Sequence, residues 1–140
     1  MKKPDFENSI RLGSACPYLA ILYRDEAILA VDKPAGLLVA PDRWDKSRPN
    51  LMGLFRQVSA KPYPWVRALQ LDYLANAHRL DFDTTGVLLL ARSRAVLVHL
   101  AALFEKRAVK KTYLALVVGG PATDREEVDL PIAPHPTRHG

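Results

Sequence analysis

The sequence predicts a mixed α/β (α+β) domain built round a central sheet, and three observations carry that expectation. Two short, continuously apolar runs, Ile28-Leu29-Ala30-Val31 and Val87-Leu88-Leu89-Leu90-Ala91, have the length and bounding residues of buried strands. Two other segments repeat their apolar residues with helical spacing, and a third, 109–118, alternates with strand spacing. Strand and helix patterns interleave along the chain, which is the signature of a sheet flanked by helices. The strand order is not readable from these patterns.

Taken in order, residues 1–19 show no periodicity and are expected to form an N-terminal arm ahead of a domain beginning near residue 20. The strand at 28–32 runs into Lys33-Pro34-Ala35-Gly36, which has turn chemistry: proline presets φ, and glycine is free to take a positive φ. An extended segment, Leu37-Leu38-Val39-Ala40, follows as far as Pro41, so a strand, tight turn, strand unit is expected. Asn50 is placed to cap a helix whose apolar face is Leu51, Leu54, Phe55 and Val58, and Pro62 and Pro64 end it. Beyond the strand at 87–91, Ser93 caps a second helix with the face Val96, Leu97, Leu100, Leu103 and Phe104. Lys106 and Arg107 fall in its last turn, where cations suit the helix dipole. From Val109 to Val118, Thr112, Leu114, Leu116 and Val118 share one strand face, and Lys111, Tyr113, Ala115 and Val117 the other, until Gly119-Gly120-Pro121.

Composition narrows the function classes. Lys and Arg number 20 against 15 Asp and Glu, a net charge of +5 that by itself favours a polyanionic partner only weakly. A single cysteine, Cys16, cannot form an internal disulfide. His78, His99, His135 and His139 have no recognised ligand spacing, so no metal site is expected. The apolar runs are too short to span a bilayer, and Met1-Lys2-Lys3 leads into no apolar signal region. A cytoplasmic setting is therefore the default expectation.

Chemistry concentrates in His78-Arg79-Leu80-Asp81-Phe82-Asp83-Thr84-Thr85-Gly86, just before the strand at 87–91. On its own this is a tight polar turn, and turns of this kind, with local Asx and hydroxyl bonds, far outnumber active sites. Around it stand Arg79, a basic cluster of Lys106, Arg107, Lys110 and Lys111, and the aromatic ring of Tyr113. An acid, cations and a ring brought together would suit a flipped nucleobase, which stacks on the ring while the carboxylate does chemistry.

Three blocks in fixed order, HRLDFDTTGVLLLA, FEKR and KTYLALVVG, together with the upstream DEAILAVDKPAGLLVAP, resemble the RluA-type RNA pseudouridine synthases. The resemblance covers roughly residues 20–132, and the leading His78 favours this group over the related RsuA group. It implies a largely antiparallel central sheet flanked by helices, with residues 20–140 forming the N-terminal portion of a catalytic domain that continues further in the family. No separate RNA-binding module of the S4 type is expected ahead of it. A domain cut short would leave apolar edges open, so self-association is expected in that case.

Position by position, the resemblance makes Asp81 the catalytic carboxylate and Arg79 the arginine that enters the space vacated by the flipped nucleotide. Tyr113 becomes the tyrosine that packs on the target base and can act as a base. Lys111 is a lysine near the site, for which a plain ion pair is the stronger reading, and Arg107 and Lys110, with Lys106, are candidate phosphate contacts. Thr85 replaces the more usual serine and keeps the hydroxyl. The implied reaction isomerises uridines of ribosomal or transfer RNA and requires no cofactor and no metal. Two alternatives remain open at this level: a non-catalytic RNA-binding fragment, and a carboxylate-dependent glycoside hydrolase. The second would need another acid across the site, and Asp83 is too near in sequence to serve.

Overall fold

The computed structural model describes residues 9–16, 18–69 and 71–131. His135, His139, the Met1-Lys2-Lys3 start and the polar C-terminal end at 132–140 lie outside them. The chain divides into two compact units, Met1–Lys110 and Lys111–Gly140.

In the first unit five strands form one antiparallel sheet: β1 (Ser9–Ile10), β2 (Leu19–Arg24), β3 (Ile28–Lys33), β4 (Ala75–Asn76) and β5 (Gly86–Ala91), in the order β1-β2-β3-β5-β4. Helices α1 (Leu51–Ser59), α2 (Pro64–Ala68) and α3 (Arg94–Glu105) complete the unit. The predicted mixed α/β class and both predicted apolar strands are found, β3 one residue longer and β5 opening one residue earlier. Their pairing is continuous, from Ile28 opposite Ala91 to Lys33 opposite Gly86. β3 and β5 lie side by side in the middle of the sheet, which is why both read as unbroken apolar runs.

Within the first unit two strand-level expectations need correction. Residues 9–16, expected in an arm, instead supply an edge strand and three core side chains, Ile10, Leu12 and Cys16. The short strand and the turn after it are too brief to generate a period. β2 shows no regular inside-outside alternation, because a bulge between Ile21 and Tyr23 breaks its register. The second correction concerns 37–40, which bends at Val39 and Ala40 and forms no strand beyond a single bridge from Leu38 to Asn50. Two of its carbonyls are spent on a helix. Leu38 O accepts from Leu51 N at 2.8 Å and Val39 O from Met52 N at 3.0 Å, two N–H groups that a helix start leaves without partners.

Asn50 caps α1 as expected: its Oδ1 accepts from Gly53 N at 2.8 Å. A side chain at Gly53 would crowd that cap, since a Cβ there would stand 3.2 Å from the Asn50 amide atoms. The predicted face of α1, Leu51, Leu54, Phe55 and Val58, is wholly buried, with Met52 beside it. Ser93 likewise caps α3, but the predicted face of α3 is only half-buried along its length. Pro64 begins α2 rather than merely ending α1; proline at a first helical position forgoes an N–H that would be unpaired anyway.

The second unit overturns the predicted strand at 109–118. Among its described residues, 111–131, there is no helix or strand and every residue is exposed, with Leu114, Leu116 and Val118 fully so. The alternation supplies the side-chain pattern of a strand, but a strand is completed only by a hydrogen-bonded neighbour, and no described residue pairs with this segment.

Because the Asn50 side chain satisfies the Gly53 N–H that the start of α1 would leave unpaired, the cap is a discrete stabilising unit. Asn50→Ala is expected to lower unfolding free energy by about 1 kcal/mol, read as a reduced denaturant midpoint at unchanged slope.

Candidate active site

The HRLD turn sits between β4 and β5 and is held from three directions. Leu80 is buried in the core and fixes the middle of the turn. His78 fixes its start: Leu89 N donates to His78 Nε2 at 3.0 Å, and the imidazole stacks on Phe104 of α3 with centroids 4.7 Å apart. The preceding pair is ordinary backbone, Ala77 N to Leu89 O at 3.1 Å, so the His78 ring continues the ladder just where the main chain turns away. An acceptor at Nε2 means that the ring is neutral there, with its proton on Nδ1. Asn76 Nδ2 adds a bond to His78 O at 3.1 Å.

The third hold comes from beneath. Lys33, the last residue of β3, is fully buried, the one charged side chain among the described core residues. Its ammonium donates to Pro34 O at 2.7 Å, Leu37 O at 2.8 Å and Phe82 O at 3.2 Å. Three N–H groups thus meet three carbonyls, which is how an unpaired buried cation becomes tolerable. Phe82 O also accepts from Gly36 N at 2.9 Å, and Gly36 takes φ +73°, the left-handed value that the Lys-Pro-Ala-Gly turn led us to expect. Burial pulls the Lys33 ammonium below the usual lysine range, opposed by the negative charges of Asp83 and Asp81. The lysine therefore does two jobs: it stitches the 33–37 turn to the 81–84 turn, and it sets positive charge behind two carboxylates.

Asp81 itself is exposed, and its carbonyl accepts from Thr84 N at 3.2 Å to close the turn. Arg79 is exposed two residues before it. Phe82 is partly exposed, and the Arg48 guanidinium lies over its ring at 4.7 Å. Arg48 in turn pairs with Asp42 at 2.9 Å. The Asp42 carboxyl is held below the usual range by N–H bonds from Trp44 and Asp45, with Arg48 adding to the effect.

Of the residues expected at the site, Asp81 and Arg79 share this loop. Lys106 and Arg107 lie just past α3 rather than in its last turn: Lys106 is the cap, and Arg107 has φ +55°. Ala108 N bonds Leu103 O at 2.9 Å and Arg107 N bonds Phe104 O at 3.1 Å, so the chain leaves the helix through a left-handed turn. Arginine at a position where glycine would be unstrained leaves an exposed cation at the helix exit. Lys110 is exposed too, while Lys111 and Tyr113 belong to the second unit, where both are exposed. Sequence reasoning missed Lys33, Arg48 and Asp42. A lysine closing an otherwise apolar strand was the available signal for the first; the other two join only through the folded loop.

Residues 27–139 match the model of the RNA pseudouridylate synthase family. The chain belongs to that family. It is 36% identical over 116 residues to the dual-specificity RNA pseudouridine synthase RluA of Salmonella typhi, a match covering 83% of this chain and 48% of that protein. With the RluA of Escherichia coli K12 the identity is 35% over the same shares. Ribosomal large subunit pseudouridine synthase D of Nitrosomonas europaea is 38% identical over 121 residues, 84% of this chain and 32% of that one. The chain thus spans about half the length of the RluA relatives that it matches. Among solved structures, human RNA pseudouridylate synthase domain containing 4 superposes with a TM-score of 0.50 at 25% identity, covering 63% of this chain and 30% of that one.

Lys33→Met would leave the carbonyls of Pro34 and Leu37 facing an apolar side chain. We expect a loss of about 1–3 kcal/mol in a denaturant titration, together with faster amide exchange at Gly36. A raised midpoint would instead mean that relief of the buried charge outweighs the lost bonds.

A second expectation follows from Asp42. Its folded pKa lies below the ordinary value, so its contribution to stability is complete above that value and lost as pH falls through the depressed one. The stability gap between the wild type and Asp42→Ala should therefore close on acidification from about pH 7 to about pH 2, followed by urea midpoints.

Proposed function

We propose that the protein to which this chain belongs converts uridine to pseudouridine in ribosomal or transfer RNA, with Asp81 as the catalytic carboxylate. The observation that supports this most directly is the placing of Asp81. It is solvent-facing on a tight turn pinned by buried Lys33, in a chain of the RNA pseudouridylate synthase family. A carboxylate needed only for turn geometry would not call for a buried cation and a stacked imidazole to fix its loop.

The reaction breaks the bond between ribose and uracil nitrogen, turns the base and rejoins it through carbon 5. Nothing is oxidised or reduced and the base is retained, so the chemistry requires no cofactor. Ionised Asp81 serves it either by attacking the anomeric carbon or by taking the ribose 2′ proton to give a glycal. The ring must first leave the RNA stack, and in our reading Arg79 fills the vacated space while Tyr113 packs on the flipped base. Arg107, Lys110 and Lys111 are assigned to the phosphate backbone, where each neutralised phosphate adds to affinity and to its salt dependence. The setting we assign is the cytoplasm; among the described residues no helix is long and apolar enough to cross a membrane.

The test is Asp81→Asn in the complete protein, given RNA whose uridines are tritiated at carbon 5. The amide preserves size and turn-forming ability, so RNA binding and unfolding midpoint should match the wild type while tritium release falls by several orders of magnitude. A parallel loss of stability and activity would return Asp81 to a structural role. Unimpaired release would sink the assignment.

A further inference from the structure

The loop 41–48, Pro-Asp-Arg-Trp-Asp-Lys-Ser-Arg, contributes Asp42 and Arg48 to the contacts described above, but its Trp44, with 87% of its surface exposed, is used neither by the core nor by any of them. An indole left in water forfeits a large apolar burial, and a tryptophan this open on a floppy loop would be unremarked. This loop is not floppy. Asp42 Oδ1 accepts from Trp44 N at 2.8 Å and from Asp45 N at 3.1 Å. Asp45 Oδ1 accepts from Ser47 N at 2.9 Å and from the Ser47 hydroxyl at 2.6 Å. Two consecutive Asx turns thus set the main chain on both sides of the indole.

The loop is also tied to the site. The Arg48 guanidinium that pairs with Asp42 lies over the ring of Phe82, the residue next to Asp81. One ion pair and one ring contact therefore connect the turn that carries Trp44 to the turn that carries Asp81. Arg43 lies over the indole at 5.2 Å, close enough for a cation–π contact that holds the ring from one side. The high exposure that remains, with Arg43 in place, leaves the opposite face open. Both carboxylates of the loop are engaged in turns, whereas Arg43 and Lys46 present their charges to solvent.

We infer that Trp44 is a stacking platform for an unpaired base of the RNA, on a nucleotide flanking the target uridine, with Arg43 and Lys46 meeting the adjacent phosphates. This rests on the function proposed above and adds to it a contact outside the catalytic loop. A flat, open π-face backed by cations suits single-stranded nucleic acid, because every base offers a face to stack and every nucleotide a phosphate. A strand whose uridine has been drawn out towards Asp81 is unstacked at its neighbours, which are then the bases available to an external ring.

The experiment compares the wild type, Trp44→Ala, Trp44→Tyr and Asp81→Asn. Each is titrated with an oligouridylate and with a uridine-rich hairpin transcript, and assayed for tritium release. Exposure of Trp44 makes its replacement harmless to folding, checked by an unchanged unfolding midpoint. Stacking predicts that Trp44→Ala weakens binding by roughly five- to a hundredfold, and that Trp44→Tyr recovers most of it. It further predicts that RNA quenches tryptophan emission in the wild type but much less in Trp44→Tyr, which retains Trp65. Equal affinity of Trp44→Ala and wild type overturns the platform, as does failure of the wild type to bind either RNA. The catalytic reading is judged separately: it fails if the wild type releases no tritium, or if Asp81→Asn releases it equally.

Discussion

Everything at the candidate site depends on one buried ammonium. Lys33 ends a strand whose neighbours are apolar, and it is fully enclosed. Its three carbonyl partners are drawn from two separate turns, at 34–37 and at residue 82. A hydrophobic side chain in its place would fill the space but could not specify which carbonyls gather there. The desolvation of the ammonium is offset only when all three acceptors are in position, so the cation penalises any arrangement in which the two turns part. That is a geometric constraint of a kind that packing alone does not supply, and it falls directly beneath Phe82, beside Asp81.

The remaining holds divide the labour. Leu80 and the β3–β5 ladder anchor the loop to the core through burial. His78 joins it to β5 and α3 through a ring that acts as an acceptor on its edge and as an apolar surface on its face. Lys33 governs the main chain beyond Asp81. The side chains of Asp81 and Arg79 are thereby left exposed on a backbone that is fixed from below. A rigid support under freely presented groups is the arrangement expected where the reacting partner is large and arrives from solvent.

What the sequence revealed and what it concealed follow from the range of each interaction. The strands at 28–33 and 86–91, the face of α1 and the caps Asn50 and Ser93 are written in near neighbours: apolar runs, helical spacing, a hydrogen-bonding residue before a periodic segment. β1 is two residues long and β2 is bulged, so neither carries a readable period. The segment 37–40 has the composition of a strand, yet two of its carbonyls serve the start of α1, an outcome decided by a contact with 51–52 that no local pattern encodes. At 109–118 the opposite error arises, since the alternation is present and the pairing that would make it a strand is not found among the described residues. The candidate site divides in the same way. Asp81 and Arg79 were legible because the family resemblance is contiguous there, whereas Lys33 and Arg48 act across separations of 49 and 34 residues along the chain, Lys33 to Phe82 and Arg48 to Phe82.

The exposure of Asp81 has a consequence for how such a site works. The surface concavity lined by Arg24, Asp25, Leu69 and Arg92 lies at the Ile28–Ala91 end of the central ladder, and the Asp81 turn lies at the Lys33–Gly86 end. The carboxylate is therefore not set in that hollow. Electrostatic catalysis needs charges held in place and water kept away, and the turn supplies only the first of these. If Asp81 is the carboxylate proposed above, exclusion of water has to come from whatever closes over it, nucleic acid or protein groups beyond this loop. What the loop itself provides is a carboxylate fixed to the protein's own frame over a buried positive charge. Under that same proposal, the RNA substrate would supply what a small exposed turn cannot, a large surface that dries the site only when it is bound.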